Sequence, residues 1–315
     1  MPATRTTAAA RPLLAAALLA CGGEASTKTA GGDGGAAVAT PAPSDTTADA
    51  PLVAREGFSG PEAVRYDPEQ DVYFVSNFNG SGSDRDNNGF ISRMSPEGEI
   101  QQLRFVAGGA GGATLHAPRG MAITGDTLWV ADVDGVAGFN RRTGAPVGTV
   151  TFPGEKLGFL NDVAAGPDGT LYVTDTGTNR VYRISGRTPR VLVSDSTLGG
   201  PNGITWDAAG ARLLVVPYGG GGEVRAVDPA SGATTTALTL GAAKMDGVEV
   251  LSGGRMLIAT QSDSSLHVVQ GGSGRRLFRT AGQPADIGVD TRRNRVAVPY
   301  IALNRVDVWS LPGRP

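Results

Sequence analysis

The chain has 315 residues, with 47 glycines, 20 prolines and a formal net charge of −2 at pH 7. Charged residues make up only 18% of it, so there is no electrostatic case for nucleic acid as a partner. Cysteine occurs once and histidine twice. A single cysteine excludes internal disulfides and cysteine zinc sites, and a serine-histidine-aspartate triad would have to use one of only two histidines.

The first 20 residues have the pattern of an export signal. Arg5 and Arg11 flank the start of an apolar run over 12–20, which is shorter than the roughly 20 apolar residues that span a bilayer. Its end, Leu18–Cys21, resembles the lipobox of bacterial lipoproteins, whose cysteine is lipidated. We therefore expect a signal peptide over 1–20 and an exported lipoprotein anchored through Cys21 on the periplasmic or cell-surface face. An ordinary cleaved signal with an incidental cysteine is the alternative.

One short pattern recurs six times in the rest of the chain. All six copies lie within the predicted domain over 51–315. Residues 21–50, which precede this domain, are rich in Gly, Ala, Thr and Pro and are predicted to be a flexible tether. Each copy has a small or apolar residue, a polar residue and a small residue before a strand. Successive copies are 57, 42, 41, 44 and 39 residues apart. Units of about 40 residues fit propeller blades of four short strands.

The strand signals within the units agree with this period. In the third unit, apolar runs over 163–166, 170–175, 180–184 and 190–193 are separated by turn residues. The sixth unit is one strand short, so segment 51–58 is predicted to complete it. No window shows sustained helical periodicity. The sequence thus predicts an all-β fold, a six-bladed β-propeller with four antiparallel strands per blade, closed by an N-terminal strand that joins blade six.

Four copies carry an oxygen-bearing side chain at the polar position: Glu62, Asn161, Asn202 and Asp246. These four are called the ring residues below. Because the innermost strands of a propeller line its central channel, these side chains should face one another across the axis. Two carboxylates and two amide oxygens suit Ca²⁺, which takes about six to eight oxygen ligands, and another divalent cation is possible. The alternative is that three of these residues are simply turn formers, since Asn-Gly and Asp-Gly favour turns.

Over residues 57–312 the chain resembles the SMP-30/gluconolactonase/LRE-like family of six-bladed propellers, which includes calcium-dependent sugar lactonases. The resemblance is carried by four motifs: Gly60–Glu62, Leu160–Asp162, Pro201–Gly203 and Asp246–Gly247. It implies that Glu62, Asn202 and Asp246 bind the metal, and that Asn161 either joins them or touches the substrate.

The resemblance also implies hydrolysis of a small-molecule lactone or related ester at the channel mouth, by water attacking a metal-polarised carbonyl. Asp246 would be the catalytic group that accepts the proton from water. Asn161 is expected to orient the carbonyl. Arg119, at the matching position of the second unit, is expected to hold substrate or, equally, to form a structural ion pair with Glu62 or Asp286.

Two features depart from the simple repeat. The first unit has an insertion over 77–92, in which Asp84–Gly89 fits the first half of a calcium loop. Ser95 stands where that loop needs a glutamate, so a polar loop over the channel mouth is favoured. Asp286 is one place out of register, and Asp162 shares that offset. Both are expected to surround the ring of four.

The competing interpretation is a noncatalytic propeller of the NHL type, which binds a protein or glycan and uses calcium only to tie its blades together. The fold cannot decide between the two. The ring of four oxygen-bearing residues favours the enzyme, because a binding propeller has no reason to place them in one register. We further expect a monomer that contacts the membrane only through its lipid.

Overall fold

The computed structural model describes residues 50–313, so the predicted signal peptide, the lipidated Cys21 and the tether lie outside the described residues. The described part consists of six antiparallel sheets of four strands each, and its helical segments are three short 3-10 turns. The predicted all-β six-bladed propeller is confirmed. No helix between residues 50 and 313 is long and apolar enough to cross a membrane.

The chain opens with β1 (Val53–Glu56), which belongs to the last blade. From the axis outward, blade one consists of β2 (Pro61–Asp67), β3 (Val72–Asn77), β4 (Phe90–Met94) and β5 (Ile100–Ala107). Blade two consists of β6 (Met121–Thr124), β7 (Thr127–Asp132), β8 (Gly135–Asn140) and β9 (Pro146–Val150). Blade three consists of β10 (Leu160–Ala165), β11 (Leu171–Asp175), β12 (Arg180–Ser185) and β13 (Thr188–Ser194). Blade four consists of β14 (Pro201–Asp207), β15 (Arg212–Pro217), β16 (Glu223–Val227) and β17 (Thr234–Thr239). Blade five consists of β18 (Met245–Val250), β19 (Met256–Thr260), β20 (Ser265–Gln270) and β21 (Ser273–Arg279). Blade six consists of β22 (Gly288–Asp290), β23 (Arg295–Tyr300), β24 (Arg305–Ser310) and, outermost, β1.

The N-terminal strand closes the ring as predicted. β1 pairs antiparallel with β24, with Val53 opposite Val308 and Glu56 opposite Arg305. The last blade therefore contains strands from both ends of the described chain. This arrangement pairs an edge that would otherwise be open, because strand β24 has only β23 on its other side.

The core lies in layers between neighbouring blades. Alternation along each strand turns one set of apolar side chains towards the preceding blade and the other towards the next. Between blades two and three, Phe152 packs edge-on against Tyr182 with ring centroids 4.9 Å apart. Between blades five and six, Phe278 stacks on Trp309 at 4.2 Å. These layers hold the six inner strands in fixed positions around the axis.

Four inner strands carry a β-bulge near their start. The pairing register shifts after Pro61, Leu160, Pro201 and Met245, the residues directly before the ring positions. A bulge adds a residue to one strand and re-aims its side chain. The ring residues thus lie inside strands, and the turn alternative is wrong. In blade two β6 pairs regularly with β7, and Arg119 precedes the strand.

Candidate functional site

The structure brings the four ring residues to one cavity of about 440 Å³ at the starting ends of the inner strands. Glu62, Asn161, Asn202 and Asp246 are all buried and all line it. The other lining residues are Phe78, Phe159, Thr176, Tyr218, Gln261, Gln283, Ile301 and Ala302. This volume lies within the usual range for a small-molecule site.

Another cavity, of about 450 Å³, lies at the opposite ends of the inner strands. Its two arginines already have partners. Arg65 forms an ion pair with Glu249, and Arg141 donates to Asp67 at 2.7 Å. With its charges neutralised locally, this cavity has less capacity for a polar ligand than the one lined by the ring.

The two ring amides are held by their nitrogens. Asn161 Nδ2 donates to Thr176 Oγ1 at 3.0 Å, and Asn202 Nδ2 donates to Met245 O at 3.0 Å. An amide whose nitrogen is the donor in such a contact has its oxygen on the other side of the group. Both Oδ1 atoms are therefore available as acceptors.

The two ring carboxylates each have an oxygen without a partner. Asp246 Oδ2 accepts from Gln261 Nε2 at 2.7 Å. Asp246 Oδ1 and Glu62 Oε2 are buried and lack any hydrogen bond within residues 50–313. Buried polar atoms are nearly always paired, so two unpaired oxygens in one cavity need an explanation. The described chain has no cluster of three His, Cys, Asp or Glu suited to a metal, so a cation here would need the amide oxygens too.

Burial and mutual repulsion disfavour the charged forms of these carboxylates. Burial is the main cause that raises the pKa of Glu62 well above its usual value; the nearby Asp246 adds to the rise and Arg119 opposes it. Burial, followed by the charge of Asp162, raises the pKa of Asp246 to about 7. A positive charge in the cavity would relieve both effects.

The structure places Arg119 behind the cavity wall. Its side chain is 1% exposed and is not among the lining residues. Nη1 donates to Leu160 O at 2.7 Å, Nη2 contacts Gly82 O, and the guanidinium carbon lies 3.7 Å from the Phe159 ring centroid. In the described chain it forms no ion pair with Glu62 or with any other carboxylate. These contacts make it a support for the wall.

Asp162 and Asp286 lie deeper in the channel and do not line the cavity. Asp162 accepts backbone N–H groups of Val163 at 2.6 Å and Ile204 at 2.8 Å, which ties blade three to blade four. Asp286 Oδ2 lies 3.8 Å from Arg65 Nη2. Neither carboxylate bonds to a ring side chain in the described structure, so they influence the ring through their charge.

The central part of the insertion, residues 78–89, forms an irregular loop between β3 and β4, and residues 90–92 belong to β4. Its acidic segment folds on itself, since Asp86 Oδ1 accepts from Asn88 N at 3.2 Å and Oδ2 from Asn88 Nδ2 at 2.6 Å. Asn87 N donates to His116 Nδ1 at 3.0 Å, and Arg85 pairs with Asp134 at 2.6 Å. The segment is thus a polar loop pinned to blade two.

A further set of site residues was not found from the sequence. The residue that directly follows the second strand of a blade lines the cavity in five of the six blades: Phe78, Thr176, Tyr218, Gln261 and Ile301. These residues share a register but no chemistry, so a search for repeated polar positions misses them. Alignment of the units on their second strands would have revealed the register.

The last residue of the second strand also has a repeated role in blades one to three. It is buried, and its side chain accepts backbone N–H groups from the segment that leads into the inner strand: Asn77, Asp132 and Asp175. Asp175 accepts from Gly158 at 2.9 Å and from Phe159 at 2.8 Å. It therefore fixes the backbone on which Phe159 approaches the cavity.

Asp175→Ala is expected to destabilise blade three. The carboxylate also accepts from Gly177 and Thr178, and an unmet buried donor costs about 1–3 kcal/mol. We expect a melting temperature about 5–10 °C lower, measured by thermal unfolding. Asp168→Ala is the control, because Asp168 bonds Thr170 in an exposed turn and its loss should change the melting temperature by less than about 2 °C. Equal effects of the two substitutions would contradict this role.

The fold and the cavity define a six-bladed propeller with an oxygen-lined pocket at one end of its central channel. No protein-family model matches the sequence, and a search of curated proteins finds no match. Solved structures do match. A gluconolactonase from Xanthomonas campestris superposes with a TM-score of 0.65 at 17% identity, over 83% of this chain and 89% of the other.

Two further structures resemble the chain. A protein with a provisional gluconolactonase assignment gives a TM-score of 0.62 at 19% identity, over 82% of this chain and 94% of the other. A catalytically inactive histidine-to-alanine variant of virginiamycin B lyase from Staphylococcus aureus, with quinupristin, gives 0.54 at 14% identity, over 82% and 99%. At these identities the likeness establishes the fold. It confirms the fold that the family resemblance implied.

Proposed function

We propose that this chain is a calcium-dependent hydrolase of a lactone or related ester. The observation that supports it most is the pair of unpartnered oxygens, Glu62 Oε2 and Asp246 Oδ1, in one buried cavity. Burying ionised oxygens without partners is costly, and one divalent cation would satisfy both. The gluconolactonases among the structural neighbours favour this reaction class.

The donor set fits calcium. Glu62, Asn161, Asn202 and Asp246 would hold it with oxygens alone, whereas zinc and copper usually take His or Cys ligands. When bound, calcium would polarise the substrate carbonyl and stabilise the negative charge that develops on its oxygen. The histidine-dependent lyase among the neighbours is a weaker guide to the chemistry, because no histidine lines this cavity.

Asp246 is the proposed proton acceptor. Gln261 fixes its Oδ2, so Oδ1, whose two lone pairs allow one contact with the cation and one with water, would take the proton from the attacking water. The water oxygen bonds to the carbonyl carbon, the bond from that carbon to the ester oxygen breaks, and the leaving oxygen receives the proton. The Tyr218 hydroxyl, 3.3 Å from Gln261 Oε1, keeps this orientation in place.

Asn161 is proposed to be a ligand and to position the carbonyl. Its Nδ2 is tied to Thr176 Oγ1, so its amide plane is fixed before substrate arrives. Arg119 is proposed to act indirectly, by supporting Phe159. The exported, lipid-anchored state and the monomeric state predicted from the sequence remain proposals, and with them the expectation that the substrate is met outside the cytoplasm.

The test is hydrolysis of sugar lactones, acyl lactones and aryl esters by the purified protein, with calcium and after chelation. We expect turnover of at least one class that chelation abolishes and calcium restores. No turnover of any class, with calcium still raising the melting temperature, would favour the noncatalytic propeller with a structural ion. Full activity after chelation would exclude the metal mechanism.

A further inference from the structure

The threonine on the cavity wall has little hydrogen-bonding capacity to spare. Thr176 Oγ1 donates to Pro201 O at 2.7 Å and accepts from Asn161 Nδ2 at 3.0 Å. Its single hydroxyl proton is therefore already used by the backbone. A substrate hydroxyl that reached Thr176 could only donate to it, and could not receive a hydrogen bond from it.

The remaining polar wall residues are largely bonded to one another. Gln261 Nε2 donates to Asp246 Oδ2 at 2.7 Å, and its Oε1 accepts from the Tyr218 hydroxyl at 3.3 Å. Among the described lining residues outside the ring, Gln283 is then the side chain whose donor and acceptor are both free. A substrate with several hydroxyls would lose its water without finding enough partners here.

One wall of the cavity is aromatic and is held in place by the protein. The Arg119 guanidinium carbon lies 3.7 Å from the Phe159 ring centroid and 5.9 Å from that of Phe78. Gly82 of the insertion packs on Phe78 so closely that a Cβ there would stand 3.1 Å from the ring. Because both rings are fixed without a ligand, an apolar group can bind without the entropic cost of ordering them.

The cavity offers no cation to an anionic substrate. None of its described lining residues is Lys, Arg or His, and Arg119 is buried behind Phe159. The ring contributes two carboxylates, Glu62 and Asp246, whose charge a divalent cation would neutralise but not reverse. Ile301 and Ala302, from blade six, add more apolar surface.

We propose that this site takes a neutral lactone or ester that carries an alkyl or aryl substituent, and that Phe159 is a residue that selects it. The proposal rests on the hydrolase function proposed above and narrows its substrate class. Polyhydroxylated sugar lactones and anionic lactones are the poorer substrates. The insertion and Arg119 serve this selection by fixing the positions of Phe78 and Phe159.

The test compares two lactones with the same six-membered ring and the same reacting carbonyl. Glucono-δ-lactone carries hydroxyls on that ring, and δ-decalactone carries a pentyl chain. We expect kcat/KM, divided by the uncatalysed rate of each, to be at least about tenfold higher for δ-decalactone. Unsubstituted δ-valerolactone provides the reference for the ring alone.

Phe159→Ala is expected to lower kcat/KM for δ-decalactone by about 10- to 100-fold, mainly through KM, with δ-valerolactone changed by less than about threefold. Ile301→Asn, which makes another lining residue polar, should shift the preference in the same direction if Phe159→Ala does not fold. Val191→Ala is the control, since Val191 is exposed on the outer strand of blade three and should leave both rates unchanged.

Binding provides a measurement that does not depend on turnover. The lactams that correspond to δ-decalactone and glucono-δ-lactone have NH in place of the ring oxygen and hydrolyse slowly. Calorimetry with the calcium-loaded protein should show tighter binding of the pentyl-substituted lactam. A preference for glucono-δ-lactone, or for its lactam, would overturn this substrate class and leave the hydrolase intact. Absence of calcium-dependent hydrolysis of every lactone would overturn the hydrolase instead.

Discussion

Asp246→Asn is expected to lower calcium-dependent kcat/KM by about 10²- to 10⁴-fold, the usual contribution of a positioned general base. The substitution keeps the shape of the side chain and its contact with Gln261 can persist, but it removes the oxygen that would take the proton. It also removes one of two negative charges from the proposed calcium ligands. We therefore expect the loss in kcat together with weaker calcium binding.

The measurement is initial rates at saturating calcium, with calcium affinity determined separately by titration. Asp307→Asn is a matched control, because Asp307 is also fully buried but pairs with Arg305 on the third strand of blade six, away from the cavity. It should retain parental turnover at 25 °C, even if it melts earlier. Parental turnover by Asp246→Asn would remove Asp246 from the mechanism, while Glu62→Gln would still test the metal site.

The sequence was sufficient for the architecture because, apart from the insertion in the first unit, the repeat has a nearly constant period. Six copies at about 40-residue spacing define the blades, and the missing strand of the sixth unit identifies 51–58 as the closing segment. The ring of four was accessible for the same reason. Glu62, Asn161, Asn202 and Asp246 are similar in chemistry and identical in register, so repetition alone set them apart from turn residues.

The sequence alone could not predict the geometry that brings the ring residues together as a site. Each ring residue lies in a β-bulge, and a bulge depends on the pairing of two strands that local sequence does not specify. The orientation of the amides likewise depends on acceptors from other segments, Thr176 Oγ1 and Met245 O. Sequence patterns name the residues, but such contacts decide which atoms face the cavity.

The burial of Arg119 is another feature that the sequence could not predict. Its register places it at the ring, and a cation at a channel mouth is a reasonable substrate-binding group. In the structure Phe159 stacks on its guanidinium and the insertion supplies Gly82 O as an acceptor. Gly82 lies in the insertion, and an aromatic residue two places before the polar position occurs only in the third unit, so the burial of Arg119 followed from features that break the repeat.

Calcium should stabilise the protein strongly at pH 8 and weakly at pH 5. Burial raises the pKa of Glu62 and Asp246, the latter to about 7, whereas carboxyl groups in an unfolded chain titrate near 4. Between about pH 4 and 7 the folded, metal-free chain thus binds more protons than the unfolded chain. Its free energy of unfolding therefore falls as the pH rises through that window.

The shifted pKa values of other groups change the stability in the opposite sense, so a comparison of Asp246→Asn with the parent isolates the effect of the ring carboxylates. Arg293, for example, donates to Asp71 and holds the pKa of that carboxyl well below its usual range, which adds stability that is lost only in acid. In chelator at pH 8, Asp246→Asn should melt at a higher temperature than the parent, because it lacks the buried charge. At pH 5 the two should differ little. Glu99→Gln, at an exposed carboxyl, should follow the parent throughout.

Calcium binding has the reverse dependence, since its ligands must be deprotonated. At about 100 times the dissociation constant, an ion bound only by the folded chain adds about 2.7 kcal/mol, which corresponds to a rise in melting temperature of about 5–10 °C. We expect that rise at pH 8 in the parent, little of it at pH 5, and a clearly smaller rise at pH 8 in Asp246→Asn at the same calcium concentration, because this variant binds calcium more weakly. If the metal-free parent instead melted above Asp246→Asn at pH 8, the ring carboxylates would not be destabilised by their charges. The unpaired oxygens of Glu62 and Asp246 would then be no evidence for a cation.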